Sequence, residues 1–127
     1  MKVKKKYIQL GFLIVVTFIV SYLIATGLKS FFKTPRPCIG LPRCPSGYSF
    51  PSRHVTVAFA IAMAVYLETK KKNYGLVLFF AASVIAVERI ITFVHTPSDV
   101  VGGLFLGCLI GWSMQRLYVI ARFLYEK

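Results

Sequence analysis

The sequence predicts an all-α protein, an integral membrane bundle of about four transmembrane helices, and three observations lead there. Of 127 residues, 57% are hydrophobic and the mean hydropathy is +0.68, more apolar than a water-soluble domain of this length. The apolar residues fall in long uninterrupted blocks. The basic residues behind the net charge of +12 lie at the edges of those blocks rather than along one helix face. The whole of 1–127 therefore reads as a single membrane-embedded domain.

The first block, Tyr7 to Leu28, has 22 residues and no charged side chain. At about 1.5 Å per residue it reaches roughly 33 Å, enough for a hydrocarbon core of about 30 Å. The basic start, Lys2 to Lys6, would also suit a secretory leader. The apolar run is too long for a leader and lacks a small-x-small cleavage site, so an uncleaved span is expected.

From Lys29 to Arg53 runs a connection of 25 residues with prolines at 35, 37, 42, 45 and 51 and glycines at 40 and 47. No continuous helix survives that density of breakers. A loop of this length in so small a chain points to function, and its charges (Lys29, Lys33, Arg36, Arg43, Arg53) are all basic, so it should attract an anion.

The second block, 54–68, is short for a crossing and needs snorkelling lysines or protecting neighbours. A basic turn follows, then spans over 74–94 and 97–120. On the fourth, Gly103, Gly107 and Gly111 repeat every four residues and invite another helix backbone, with Ala58, Ala60, Ala62 and Ala64 offering small surfaces on the second.

Four crossings place both chain ends and the 68–73 turn on one side, with ten of the sixteen Lys and Arg residues. By the positive-inside rule that side is cytoplasmic in the plasma membrane, and the 29–53 loop and the 95–99 turn are extracytoplasmic. No basic helix face interleaved with stacking aromatics is present, so nucleic acid is not an expected partner. The bilayer is.

Three polar clusters meet on the extracytoplasmic side. Lys29 and Arg36 form the first; Arg36, between two prolines, presents a donor fork suited to phosphate. In the second, Ser52, Arg53 and His54 open a helix; Ser52 reads as an N-cap, and the helix start favours an anion. In the third, Thr96, Pro97 and Asp99 form a capping box, while Asp99 can also orient His95. Arg89 lies below the interface, where a cation needs an anionic partner. Together these residues read as a phosphate site with a nucleophile and an acid.

Lys29, six residues, Arg36-Pro37; Pro51-Ser52-x-His54; and Arg89, five residues, His95, three residues, Asp99 resemble, in order and spacing, the three-part signature of the type 2 phosphatidic acid phosphatase superfamily. The resemblance covers Lys29 to Asp99. It implies metal-independent hydrolysis of a phosphorylated membrane lipid, a phosphomonoester or a polyprenyl diphosphate such as undecaprenyl diphosphate, without a cofactor. By it His95 attacks phosphorus to form a phosphohistidine, Asp99 orients His95, and His54 protonates the leaving oxygen. Lys29, Arg36, Ser52, Arg53 and Arg89 would bind phosphate.

Three departures from the family pattern stand out. Arg53 occupies the usual glycine position and Glu88 the usual serine position, and a compensating Arg53–Glu88 pair is expected, or else an Arg53 contact with a second phosphate. Family members in membranes commonly have six spans, so a homo-oligomer is a possible partner arrangement here. Two rival readings remain open: a member that binds lipid phosphate without turnover, and a small transporter with a metal at His54, His95 and Asp99. Cys38 and Cys44 lie where a disulfide is chemically allowed, but spacing alone decides neither for nor against it. Cys108 reads as packing.

Overall fold

A computed structural model describes residues 2–126, with side chains from Lys4 onward. Among these residues the architecture is all-α: α1 (Lys2–Phe32), α2 (Arg53–Glu68), α3 (Lys72–Ile91) and α4 (Pro97–Tyr125). Three of them, α1, α3 and α4, are long and apolar enough to cross a membrane. The chain is a membrane protein.

The exception is α2, whose 16 residues reach about 24 Å. It is the central helix, packed against each of the other three and most extensively against α4. Its buried residues, Val55, Thr56, Phe59, Ala60, Ala62, Ala64 and Val65, lie around most of its circumference. A helix sheathed by its neighbours need not match the bilayer thickness by itself, because protein rather than lipid meets its ends. The outer helices show the opposite pattern. On α3 only Gly75, Ala82 and Ala86 are buried, while Phe80, Val84, Val87 and Ile91 point outward.

The glycine face of α4 explains the closest packing. Gly103 lies against the Ser52 carbonyl and the Val55 side chain, Gly107 against the Thr56 carbonyl, and Gly111 against the Ala60 carbonyl. No Cβ fits between those backbones. Below this contact Val55, Phe59, Ala82, Ala86 and Val100 form the apolar core.

The α3 helix stops at Ile91, three residues before the expected end at Val94. Phe93 adopts φ 56°, a left-handed conformation that costs a non-glycine residue roughly 1–2 kcal/mol and ends the helix. The His95 N–H then reaches back to the Arg89 carbonyl at 3.1 Å, which fixes the turn leading into α4.

At the opposite end of the bundle Glu68 accepts from Gln115 Nε2 (3.2 Å) and from Arg122 Nη1 (3.0 Å), tying the end of α2 to α4. Lys5 and Gln9 of α1 border a cleft there with Tyr118 and Arg122. The start of α1, the end of α4 and the α2–α3 turn thus share one face, and the long loop and the α3–α4 turn share the other.

Gly107→Ala should destabilise the protein by about 1–3 kcal/mol, because its Cβ meets the Thr56 backbone oxygen, which cannot move aside cheaply. Gly27→Ala, with nothing within 4 Å of the added methyl group, should be neutral or slightly stabilising. Thermal midpoints in detergent compare the two; equal shifts would count against the α2–α4 close approach.

Candidate active site

The turn between α3 and α4 gathers the buried polar groups. Thr96 is the N-cap of α4 and accepts from the Asp99 N–H (3.3 Å), while Asp99 Oδ2 accepts from the Thr96 N–H (2.8 Å). This is the capping box expected from the sequence. The same Oδ2 accepts the Ser49 hydroxyl and lies 3.4 Å from His95 Nδ1. Asp99, only 1% exposed, therefore serves both as helix cap and as the carboxylate behind the imidazole.

The tautomer of His95 follows from its other neighbour. Arg36 Nη1 sits 3.3 Å from His95 Nε2, and a guanidinium can only donate. Nε2 is then the acceptor, and the ring proton lies on Nδ1, facing Asp99 and the Ser49 oxygen 3.4 Å away. Arg36 is itself held by the Gly47 carbonyl (Nε, 3.2 Å) and the Val94 carbonyl (Nη1, 3.2 Å). Burial holds the His95 imidazole down to about 4, assisted by the Lys29 and Arg36 cations and opposed by Asp99. The ring is neutral at physiological pH, with a lone pair on Nε2.

Lys29 ends its helix with Nζ donating to the Tyr48 (2.8 Å) and Ser49 (3.0 Å) carbonyls, so it braces the loop as well as charging the site. Ser52 occupies the N-cap position of α2, yet its hydroxyl makes no capping bond and is buried without a hydrogen-bond partner. Its backbone N–H goes to the Asp99 carbonyl at 3.1 Å, which joins the second cluster to the third.

The expected Arg53–Glu88 pair does not form. Glu88 Oε2 lies 2.7 Å from Arg89 Nε, the adjacent residue, although the alignment is too poor for a hydrogen bond and leaves that nitrogen without one. Arg53 turns toward α1 instead, with Nη1 3.4 Å from Thr26 Oγ1 and the guanidinium 4.6 Å above the Tyr22 ring.

Lys29, Arg36, Arg53, His54, Arg89 and His95 line one polar pocket of about 180 Å³, with Pro45, Ser46 and Val94 completing its wall. Four cations and two imidazoles face this space, and no carboxylate lines it. Asp99 and Ser52 stand behind the wall. A larger concavity of about 470 Å³ lies along the outer face of α3, but its lining is almost wholly apolar and faces lipid. The charge lining the small polar pocket is electrostatically suited to an anion.

His54, His95 and Asp99 do not form a metal site: among the described residues no three His, Cys, Asp or Glu side chains are grouped to hold an ion. Cys38 and Cys44 form a disulfide within the loop. Sequence reasoning missed Ser49, whose hydroxyl, amide and carbonyl contact Asp99, Thr34 and Lys29 respectively. Its place before Phe50-Pro51 carried no signal for contacts with groups 20 and 50 positions away.

With this geometry in hand, a family model described as PAP2 superfamily matches residues 10–122. A curated relative from Bacillus licheniformis, "Bacitracin transport permease protein BcrC", is 32% identical, with 89% of this chain and 61% of that protein covered. The "Undecaprenyl-diphosphatase BcrC" of Bacillus subtilis (strain 168) is 28% identical, with 94% of this chain and 61% of that protein covered. The chain spans about 61% of the length of the curated relatives it matches. No solved structure matches it.

His95 should protonate near pH 4 rather than 6.5, followed by nitrogen-15 histidine NMR with His54→Gln to assign the signals. A folded-state value below that of the unfolded chain means that stability is fully present above about pH 6.5 and declines as pH falls toward 4. Arg36→Ala removes a neighbouring cation and should move the titration upward. A His95 midpoint at 6.5 in the intact protein would refute the buried, cation-flanked ring.

Proposed function

The chain belongs to the PAP2 superfamily, and from that premise and the pocket's geometry we propose that it is a membrane phosphatase acting on a lipid phosphate or polyprenyl diphosphate through a phosphohistidine. One observation carries the reading: His95 Nε2 bears its lone pair at the wall of a four-cation pocket, with a buried carboxylate behind the ring.

The steps follow from that placement. A terminal phosphate enters among Lys29, Arg36 and Arg89, with Arg53 at the rim, and Arg36 shifts its donors from Nε2 to phosphate oxygens. His95 Nε2 bonds to phosphorus as the bond from phosphorus to the leaving oxygen breaks, and the electron pair stays on that oxygen. His54 supplies the proton. No hydrogen bond to its ring is seen among the described residues, so the ring is free to meet the leaving group. Water, with His54 now taking its proton, attacks the phosphohistidine, releases inorganic phosphate and restores the imidazole.

Charge on the transferring group is stabilised by the fixed cations, which takes the place a metal ion fills in other phosphatases. Asp99 and Ser49 keep the Nδ1 proton in place, and Asp99 stabilises the positive charge the ring acquires on attack. The B. subtilis relative's name gives undecaprenyl diphosphate as that protein's substrate. A polyprenyl diphosphate is accordingly our substrate class for this chain. We place the pocket on the extracytoplasmic side, since the opposite face carries the denser lysines and arginines.

Phosphate release from a polyprenyl diphosphate by detergent-solubilised protein should persist in EDTA and fall about 1,000-fold or more in His95→Ala. Acid-labile, alkali-stable label from a phosphorus-32 substrate should appear on the wild-type chain and be missing from that variant. Release that needs added metal, or that survives loss of His95, would overturn the mechanism.

A further inference from the structure

The polar pocket does not stand alone. An apolar groove of about 320 Å³ runs beside it, walled by Phe18 and Tyr22 of α1, Val57 and Ala58 of α2, and Ile85 of α3. Arg53 and His54 line both spaces. They therefore mark the junction between the two spaces. Phe18 is 48% exposed and Tyr22 39%, so the groove is open along the flank of the bundle, where a hydrocarbon tail can remain in the bilayer.

Arg53 at that junction is a cation without a carboxylate. Among the described residues the ion pairs are Arg89 with Glu88, His95 with Asp99 and Arg122 with Glu68, and Arg53 is in none of them. Its own contacts, a long 3.4 Å bond to a threonine hydroxyl and the face of Tyr22, orient the guanidinium but do not neutralise it. An unpaired cation at the border of an apolar groove calls for an anion.

We propose that Arg53 binds the lipid-attached phosphate of a lipid diphosphate while the terminal phosphate lies against His95, making Arg53 the residue that selects diphosphates over monophosphates. This rests on the phosphatase reading of the pocket. When His95 Nε2 bonds to the terminal phosphorus, the bond to the bridging oxygen breaks and its electron pair stays on the departing lipid monophosphate. His54 protonates that oxygen, and Arg53 holds the growing charge on the same phosphate. In a lipid monophosphate the leaving oxygen belongs to the alcohol, no second phosphate reaches the junction, and Arg53 has no anion to bind.

The experiment compares farnesyl diphosphate with farnesyl monophosphate in wild type, Arg53→Ala and Arg53→Lys. Arg53→Ala should lower kcat/KM for the diphosphate about 10- to 100-fold more than for the monophosphate, and Arg53→Lys should recover part of that difference. A parallel calorimetric titration uses inorganic pyrophosphate against inorganic phosphate. The wild-type preference for pyrophosphate should shrink in Arg53→Ala. An equal loss on both lipids together with an unchanged pyrophosphate preference would overturn the assignment to Arg53. No release from either lipid by wild type would instead overturn the phosphatase reading, with the titration still deciding whether Arg53 reads a second phosphate.

Discussion

A carboxylate that is 1% exposed at the head of an apolar helix must be given partners, and the site is built around that requirement at Asp99. Its Oδ2 collects the Thr96 amide, the Ser49 hydroxyl and the Nδ1 side of His95. The partners come from two parts of the chain: Ser49 from the end of the long loop, and His95 and Thr96 from the α3–α4 turn. Ser49 extends the linkage further, because its carbonyl receives Lys29 at the end of α1 and its amide donates to the Thr34 carbonyl at 2.8 Å. One buried charge thus closes a circuit through clusters that lie up to 70 positions apart. The same carboxylate, by facing Nδ1, leaves the other ring nitrogen as the acceptor that meets Arg36 at the pocket wall.

The packing of α2 on α4 sets the rest of the geometry. Gly103 lies under the Ser52 carbonyl, and the Ser52 amide donates to the Asp99 carbonyl. The second cluster is therefore registered against the third by direct backbone contact. A side chain at Gly103 or Gly107 would push α2 outward and carry Arg53 and His54 away from His95. Small residues deep in the bundle and the separation of His54 from His95 are one problem, solved at one interface. The shortness of α2 belongs to the same solution. Its first residue must sit at the level of the α3–α4 turn, and its neighbours supply the lipid-facing surface that it lacks.

Much of this was legible in the sequence, for identifiable reasons. Lys29, Arg36, Arg89, His95 and Asp99 were visible because ionisable groups beside apolar blocks need a purpose, and their spacing matched a known signature. The capping box was visible because it is a local pattern. The glycine face announced itself by its repeat of four. Ser49 was not legible, since a loop serine carries no period and its partners are distant in the chain. The Ser52 position was read correctly as an N-cap, but only coordinates show that its hydroxyl leaves the cap unmade. The Cys38–Cys44 bond depended on a distance that six positions of sequence do not determine.

The pairing of Glu88 was misread for a different reason. The sequence reading gave Glu88 the cation Arg53, whereas neighbours on a helix do not normally face each other. Two long side chains can nevertheless bend to meet, and Glu88 takes Arg89 at 2.7 Å. Glycine and serine, the usual residues at positions 53 and 88, are both neutral, whereas here the two positions carry +1 and −1. Their sum is unchanged, so the chain keeps its total charge without any contact between them. What changes is its distribution. Glu88 partly neutralises Arg89, while Arg53 adds positive charge at the border with the apolar groove. The field therefore shifts from the Arg89 wall of the polar pocket toward its border with the apolar groove. On the proposed reading that shift favours a head carrying negative charge at both positions, and it requires no contact between the two side chains.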